Sequence, residues 1–114
     1  MTDLPDAADL VWLNFNPQAG HEQAGRRPAL VLSPTSYHER TALAVVCPIT
    51  SNTRPYPFKV LLPEGLPIGG AVLADQVKSI NRVARQLTIA GGVPHSVVLE
   101  VQAKIAALLG LDNG

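Results

Sequence analysis

Ten prolines and nine glycines are spread along the 114 residues, and they limit what the chain can become. Proline has no amide proton to give to a helix or a sheet ladder, and glycine loses the most conformational freedom on folding, so elements between them stay short. Short strands are therefore the default. Asp9 to Phe15 predicts a first strand, with Leu10, Trp12 and Asn14 on one face and Val11, Leu13 and Phe15 on the other, stopped by Pro17. Pro28 to Ser33 and Ala42 to Ile49 are continuous apolar runs bounded by Pro34 and Pro48, the pattern of strands buried on both faces. Phe58 to Leu62 and Gly70 to Ala74 bring the strands to five, and Lys78 to Ile80 and Leu87 to Ala90 are candidates for further edge strands.

The polar segment Asn16 to Arg27 has two glycines and no apolar period, and its length predicts a flexible active-site loop. One long helix is predicted from Pro94 to Leu109, where Val97, Val101, Ile105 and Leu108 recur at helical spacing. Glu100 stands four residues before Lys104 for an ion pair along that helix, and Gly110 predicts its C-terminal cap. Thr35 to Arg40 and Asn81 to Arg85 each suggest a helical turn. With no internal repeat, low-complexity tract or linker, residues 1–114 read as one domain. Several short strands and one terminal helix describe a mainly β fold, a small, strongly bent β-barrel of SH3-like type closed by a helix.

Composition narrows the function classes. At 46% hydrophobic and 16% charged the chain has a globular core, and nine basic residues balance nine acidic ones. A net charge of zero excludes a protein that coats nucleic acid by bulk electrostatics, so any contact with a polyanion must be local. Cys47 is the single cysteine, which allows no internal disulfide and points to a reducing cytoplasm. Asp3, Asp6 and Asp9 precede any base, unlike the positive start of a signal peptide, and no apolar run reaches the roughly 20 residues that span a bilayer. No membrane association is expected.

The order of several motifs goes further. Asp9-Leu-Val-Trp-Leu-Asn-Phe-Asn-Pro17 is followed by Gly20-His-Glu-Gln-Ala-Gly-Arg-Arg-Pro-Ala-Leu-Val-Leu-Ser-Pro34. Then come Pro48-Ile-Thr50, Tyr56-Pro-Phe58 and Leu73-Ala-Asp-Gln-Val-Lys-Ser-Ile80. Over nearly its whole length the chain resembles the MazF/PemK toxins of bacterial toxin–antitoxin systems, the Glu-Gln-x-Gly-x-Arg-Pro and Asp-Gln-Val-Lys stretches together being specific. The resemblance implies the bent CcdB/PemK-like barrel with a C-terminal helix. It also implies sequence-specific cleavage of single-stranded RNA without metal or other cofactor, leaving 2′,3′-cyclic phosphate and 5′-hydroxyl ends, and thereby inhibition of translation.

Such chemistry needs a base for the 2′-hydroxyl proton, a fixed cation for the charge growing on the phosphorus oxygens, and an acid for the leaving 5′-oxygen. By the resemblance Arg27 is the catalytic arginine, with a planar guanidinium that meets two phosphate oxygens where lysine meets one. Thr50 matches the family threonine, able to donate to a phosphate oxygen or hold the attacking 2′-oxygen. Glu22 falls at the acidic loop position as candidate base, although a carboxylate with the ordinary pKa near 4.3 is a weak base at neutral pH. His21 beside it titrates nearer neutrality and ranks as an accessory. His38 and His95 read as surface residues, and with no acidic or cysteine partners at ligand spacing no metal site is predicted.

Grip on RNA is assigned to local charge. Arg26, Arg27 and Arg54 lie on or beside loops, and Lys78, Arg82 and Arg85 fall at i, i+4 and i+7 without an intervening acid. Of these, Arg26, Arg54, Lys78 and Arg85 are candidate RNA-binding residues, joined by Gln76, whose amide can read a base edge. Trp12 and Tyr56 suit either base stacking or the core, and Asp75 suits a hydrogen-bond anchor for its own turn as well as it suits a contact. Ala8 stands where the family often has glycine. The expected partners are single-stranded RNA, a second copy in a homodimer, and a cognate antitoxin whose acidic C-terminal tail occupies the RNA groove. Two other readings exist for the same barrel: a gyrase-poisoning toxin of the CcdB type, which goes with a C-terminal tryptophan motif not found in Leu111-Asp-Asn-Gly114, and an inert SH3-like binding module, which has no use for Arg27 and Thr50 at one site.

Overall fold

The computed structural model describes residues 3–15 and 25–111. Among them the elements run β1 (Asp9–Asn14), β2 (Arg26–Val31), α1 (Thr35–His38), β3 (Leu43–Thr50), β4 (Lys59–Leu61), β5 (Ala71–Leu73), β6 (Lys78–Asn81), β7 (Thr88–Gly92) and α2 (His95–Leu109). A 3-10 turn, Ala74–Gln76, separates β5 from β6. Both candidate edge strands therefore form, whereas Asn81 to Arg85 is a hydrogen-bonded turn rather than a helix.

All strand pairs are antiparallel, in the order β4-β5-β3-β2-β1-β7, with β6 also on β3. β3 is the hub. One of its edges pairs with β2 through Val46 to Pro48, while the other pairs with β6 from Leu43 to Val46 and with β5 at Ile49 and Thr50. Pro48 falls where that second edge changes partner, a place where its missing amide proton costs no ladder bond. The path ends at β4 and β7 without their pairing, so the expected mainly β fold with a C-terminal helix is a bent, barrel-like sheet that stays open.

Both faces of the central strands are buried, as their apolar runs predicted. One cluster joins Leu10, Leu30, Cys47, Ile49 and Val72 to Val97 and Val101 of α2. The other gathers Val11, Leu13, Ala29, Val31, Val46 and Ile80. Burial holds the Cys47 thiol proton on, pushing its pKa up to about 12, with the Asp75 charge adding to the effect. Burial fades along α2 from Val101 through Ile105 to Leu108, which is 44% exposed although its spacing put it on the inward face. Lys104 reaches across to the carbonyl of Pro57 at 2.7 Å, which ties the helix to the segment before β4. Gly110 caps α2 at φ 74°, with the amide of Leu111 donating to Ala106 O at 2.8 Å.

His38 is corrected by the structure from a surface residue to a buried one, 1% exposed. The reason is a complete set of partners. Pro5 O can only accept, so Nδ1–H donates to it at 2.7 Å, Nε2 of the neutral ring accepts the Ser33 hydroxyl at 2.7 Å, and Ser33 Oγ in turn accepts the amide of Val45 at 2.9 Å. His95, by contrast, opens α2 exposed to solvent.

Candidate active site

The β2–β3 ladder ends at Ala29 and Pro48. Two residues beyond that ladder on each strand stand the sequence candidates Arg27, which pairs with Leu13 of β1, and Thr50, which pairs with Ala71 of β5. Arg27 and Thr50 line a cavity of about 790 Å³ together with Gln76, which follows β5 in the 3-10 turn. That volume is within the range of about 300–1,000 Å³ typical of ligand sites. Aromatic and imino-acid surface completes the walls: Trp12 and Phe15 at the end of β1, Pro28 on β2, and Pro67 to Gly69 from the segment before β5.

Backbone chemistry fixes this end of β3. A Cβ on Gly70, at φ 118°, would lie 2.2 Å from Thr50 O, so only glycine lets β5 start this close to the threonine. Thr50 Oγ1 accepts the amide of Asn52 at 3.1 Å, Asn52 Oδ1 accepts the amide of Arg54 at 3.0 Å, and Lys59 Nζ donates to both Asn52 O and Arg54 O. Among the described residues the Thr50 hydroxyl has no acceptor for its proton. Arg27 is exposed and is the one charged residue among the described residues lining the cavity. A cation with no carboxylate beside it in the wall suits an anion. Among the described residues no three His, Cys, Asp or Glu side chains gather as a metal site.

A profile of the PemK-like, MazF-like toxins of type II toxin–antitoxin systems matches residues 6–109. The chain belongs to the PemK/MazF toxin family. The endoribonuclease toxin MazF of Escherichia coli K12 is 45% identical over 107 residues, which cover 94% of this chain and 96% of that one. MazF of Deinococcus radiodurans superposes with a TM-score of 0.86 at 50% identity, covering 96% of this chain and 99% of that one. A MazE–MazF crystal structure from the same organism gives 0.86 at 44% identity, covering 96% and 98%.

Within this PemK/MazF toxin the remaining candidates divide. Lys78, exposed on β6, holds its Nζ 4.9 Å from the ring centre of Phe15, so it adjoins the cavity through an aromatic wall. Arg54 is exposed on the loop after β3 and outside the lining. Arg26, next to Arg27 on a strand, leaves on the other face. Its guanidinium donates to Gln86 O at 2.6 Å and Thr88 Oγ1 at 2.8 Å. Arg85 Nη1 donates to Asn14 O at 3.1 Å and also to Phe15 O, while Arg82 donates to His38 O and Thr41 O at 2.9 and 3.0 Å. The i, i+4, i+7 spacing of Lys78, Arg82 and Arg85 makes no stripe, because it spans a strand and a turn. Glu22 and His21 lie outside the described residues.

Trp12 is 38% exposed and in the cavity wall, while Tyr56, 48% exposed, donates its hydroxyl to Asp75 Oδ2 at 2.9 Å. That bond, and then the charge of the same carboxylate, raise the Tyr56 phenol above its ordinary value. Asp75 thus anchors a loop distant in sequence rather than its own turn. Phe15, Ser51 and the Pro67–Gly69 segment carry no functional motif of their own; for Ser51 the sequence signal is its place after Thr50, and for the segment it is the Gly69-Gly70 pair that permits close approach.

Proposed function

We propose that this family member is an endoribonuclease toxin that cuts single-stranded RNA at defined sequences without a metal ion, leaving 2′,3′-cyclic phosphate and 5′-hydroxyl ends and so inhibiting translation. The observation that carries the reading is the convergence of Arg27 and Thr50 in one cavity with Gln76. In the reaction the 2′-hydroxyl loses its proton, the 2′-oxygen bonds to phosphorus, and the bond from phosphorus to the 5′-oxygen breaks as that oxygen gains a proton. Arg27 stabilises the charge on the non-bridging oxygens, a role that otherwise calls for a metal. Thr50 donates to one of them or holds the 2′-oxygen in line. Glu22 acts on the 2′-hydroxyl proton as base or by position, with His21 as accessory.

Gln76 reads a base edge, and Lys78 and Arg54 attract the flanking phosphates. A MazE–MazF complex of a 44% identical relative supports a cognate antitoxin as partner. Its acidic, largely disordered tail competes with RNA for the cavity, since a site that takes a polyanionic strand also takes a run of Asp and Glu. The functional unit is a homodimer in the cytoplasm with the RNA groove along its interface. No helix among the described residues is long and apolar enough to cross a membrane.

The test is incubation of the purified protein with a defined RNA in chelator, with the new 5′ ends mapped. Fragments with 5′-hydroxyl ends at a recurrent sequence are expected, and Arg27→Ala lowers the rate on the order of 10² to 10³ with the fold intact, Glu22→Ala less. Full activity of Arg27→Ala in chelator, or cleavage only after metal is added, contradicts the mechanism. A monomeric mass at micromolar concentration contradicts the dimer, and simultaneous, non-competing binding of antitoxin tail and uncleavable RNA contradicts the shared groove.

A further inference from the structure

We infer that Arg85 and Arg26 are positioning residues, a pair of guanidinium clamps that hold the two strand ends bearing Phe15 and Arg27, rather than contacts to RNA phosphate. The inference rests on the RNA-cleaving reading above. Phe15 and Gly25 face each other at the open end of the β1–β2 pair, where the amide of Phe15 donates to Gly25 O at 3.2 Å. Among the described residues Phe15 and Gly25 are the last of this pair, beyond the Asn14–Arg26 register position. Both contribute wall to the cavity, and Arg27 follows Gly25 by two residues.

The turn Asn81–Gln86 adds bonds to this pair. Arg85 Nη1 donates to the carbonyls of Asn14 and Phe15, and the amide of Asn14 donates back to Arg85 O at 2.8 Å. Asn14 Nδ2 donates to Gln86 Oε1 at 3.3 Å, and from the other strand Arg26 Nη1 donates to Gln86 O at 2.6 Å. One turn is thus bonded to both ends of the pair. The turn itself is rigid: Asn81 Oδ1 accepts the amides of Val83 and Ala84 at 3.0 and 2.9 Å, and Arg82 fastens it to His38 O and Thr41 O. Gln86 is held at φ 54°, a conformation an L residue adopts only when its surroundings impose it. The Arg85 guanidinium, half-buried and bonded to two protein carbonyls, is ill placed to follow a phosphate, and that of Arg26, though exposed, is engaged by Gln86 O, Trp12 O and Thr88 Oγ1.

The two roles separate experimentally. Lysine at position 85 keeps the charge but ends one atom short of the guanidinium nitrogens, so it preserves a phosphate contact and loses the clamp. For Arg85→Lys and Arg85→Ala the clamp predicts kcat lower by tenfold or more, KM within twofold, and an unchanged dependence of RNA binding on salt. Trp12 is the single tryptophan and lies on β1 two residues before Asn14, whose carbonyl Arg85 holds, so its quenching by acrylamide should rise about twofold in both variants with the thermal midpoint still well above assay temperature. Because the clamps act as a unit, Arg26→Ala added to Arg85→Ala should cost less than threefold more in kcat. A raised KM with a salt slope smaller by about 0.7 would instead make Arg85 a phosphate contact and overturn the inference. So would kcat within twofold of wild type, unchanged Trp12 quenching, or activity lost only in proportion to unfolded protein. Absence of RNA cleavage by the wild-type chain refutes the enzymatic reading on its own, and the quenching still decides whether the clamp exists.

Discussion

The amide of Asn52 donates to Thr50 Oγ1 at 3.1 Å, which restrains the side chain of a threonine in the cavity wall. Its hydroxyl can donate. Thr50→Val keeps the shape and removes the donor, and should lower RNA cleavage on the order of 10²-fold. Asn52 is exposed, so its freed amide turns to water and stability should change by less than about 1 kcal/mol. Thr50→Ser should retain most activity. Steady-state cleavage of one defined RNA by the three proteins checks this, and equal activity of wild type and Thr50→Val refutes it.

Gly70 controls the same residue from the next strand. With φ at 118° and Thr50 O only 2.2 Å from the point a methyl group would occupy, Gly70→Ala must push β5 away from β3. A cost of about 2 kcal/mol or more is expected from the strained backbone and the displaced pair. Urea unfolding measures the stability, and because Thr50 moves with the strand, the folded fraction should also cleave RNA more slowly than wild type.

Ala8 sits at φ 80° immediately before β1, in the left-handed region where its Cβ is crowded. Its amide donates to Val31 O and its carbonyl accepts the amide of Val93, both at 2.9 Å, so the tertiary structure holds it there. Glycine, with no Cβ, adopts this φ without that crowding. Ala8→Gly should stabilise the protein by about 0.5–1 kcal/mol once the greater freedom of the unfolded glycine chain is set against the relieved strain. A lower urea midpoint for the variant would show that the strain relieved is smaller than the entropy cost of the glycine, against this prediction.

Asp6 Oδ1 accepts the amides of Thr35 and Ala7, at 3.0 and 2.9 Å, and these bonds hold its carboxyl below its ordinary value of 3.8. A lowered folded-state pKa contributes stability that is complete above the unfolded value and disappears as pH falls through the folded one. Asp6→Asn keeps an acceptor oxygen and removes the titration. Wild type should therefore exceed the variant in stability by a small constant amount above about pH 5, with the difference shrinking below the ordinary carboxylate range. A difference that grows towards acid has the wrong sign for this assignment.

The strands, the long helix and its Gly110 cap were legible because their signals are local: apolar runs between prolines, a repeat of three and four residues, and a glycine at a helix end. Arg27 and Thr50 were singled out by their motifs, and the structure puts both in the wall of one cavity. The carbonyl bonds of Arg26, Arg82 and Arg85 and the burial of His38 were not legible, since a charged or titratable residue in a polar stretch reads alike whether it faces water or a carbonyl. The partner of Arg26 lies 60 residues away and that of Arg85 lies 71 away, separations for which no sequence period carries information.

By itself, then, the order of residues determines the family, the short antiparallel elements and the pair of side chains with suitable chemistry, because each depends on neighbours in the chain or on a contiguous motif. Only the tertiary structure decides that the ends of β2 and β3 bring Arg27 and Thr50 into the wall of one cavity, that Gly70 must pass Thr50 without a side chain, and that His38 is buried while Trp12 is not. The physical reason is that hydrogen-bond satisfaction and burial are properties of surroundings. A guanidinium or imidazole takes its role from whichever unpaired carbonyl the folded chain brings within about 3 Å, and that carbonyl is supplied from elsewhere in the sequence.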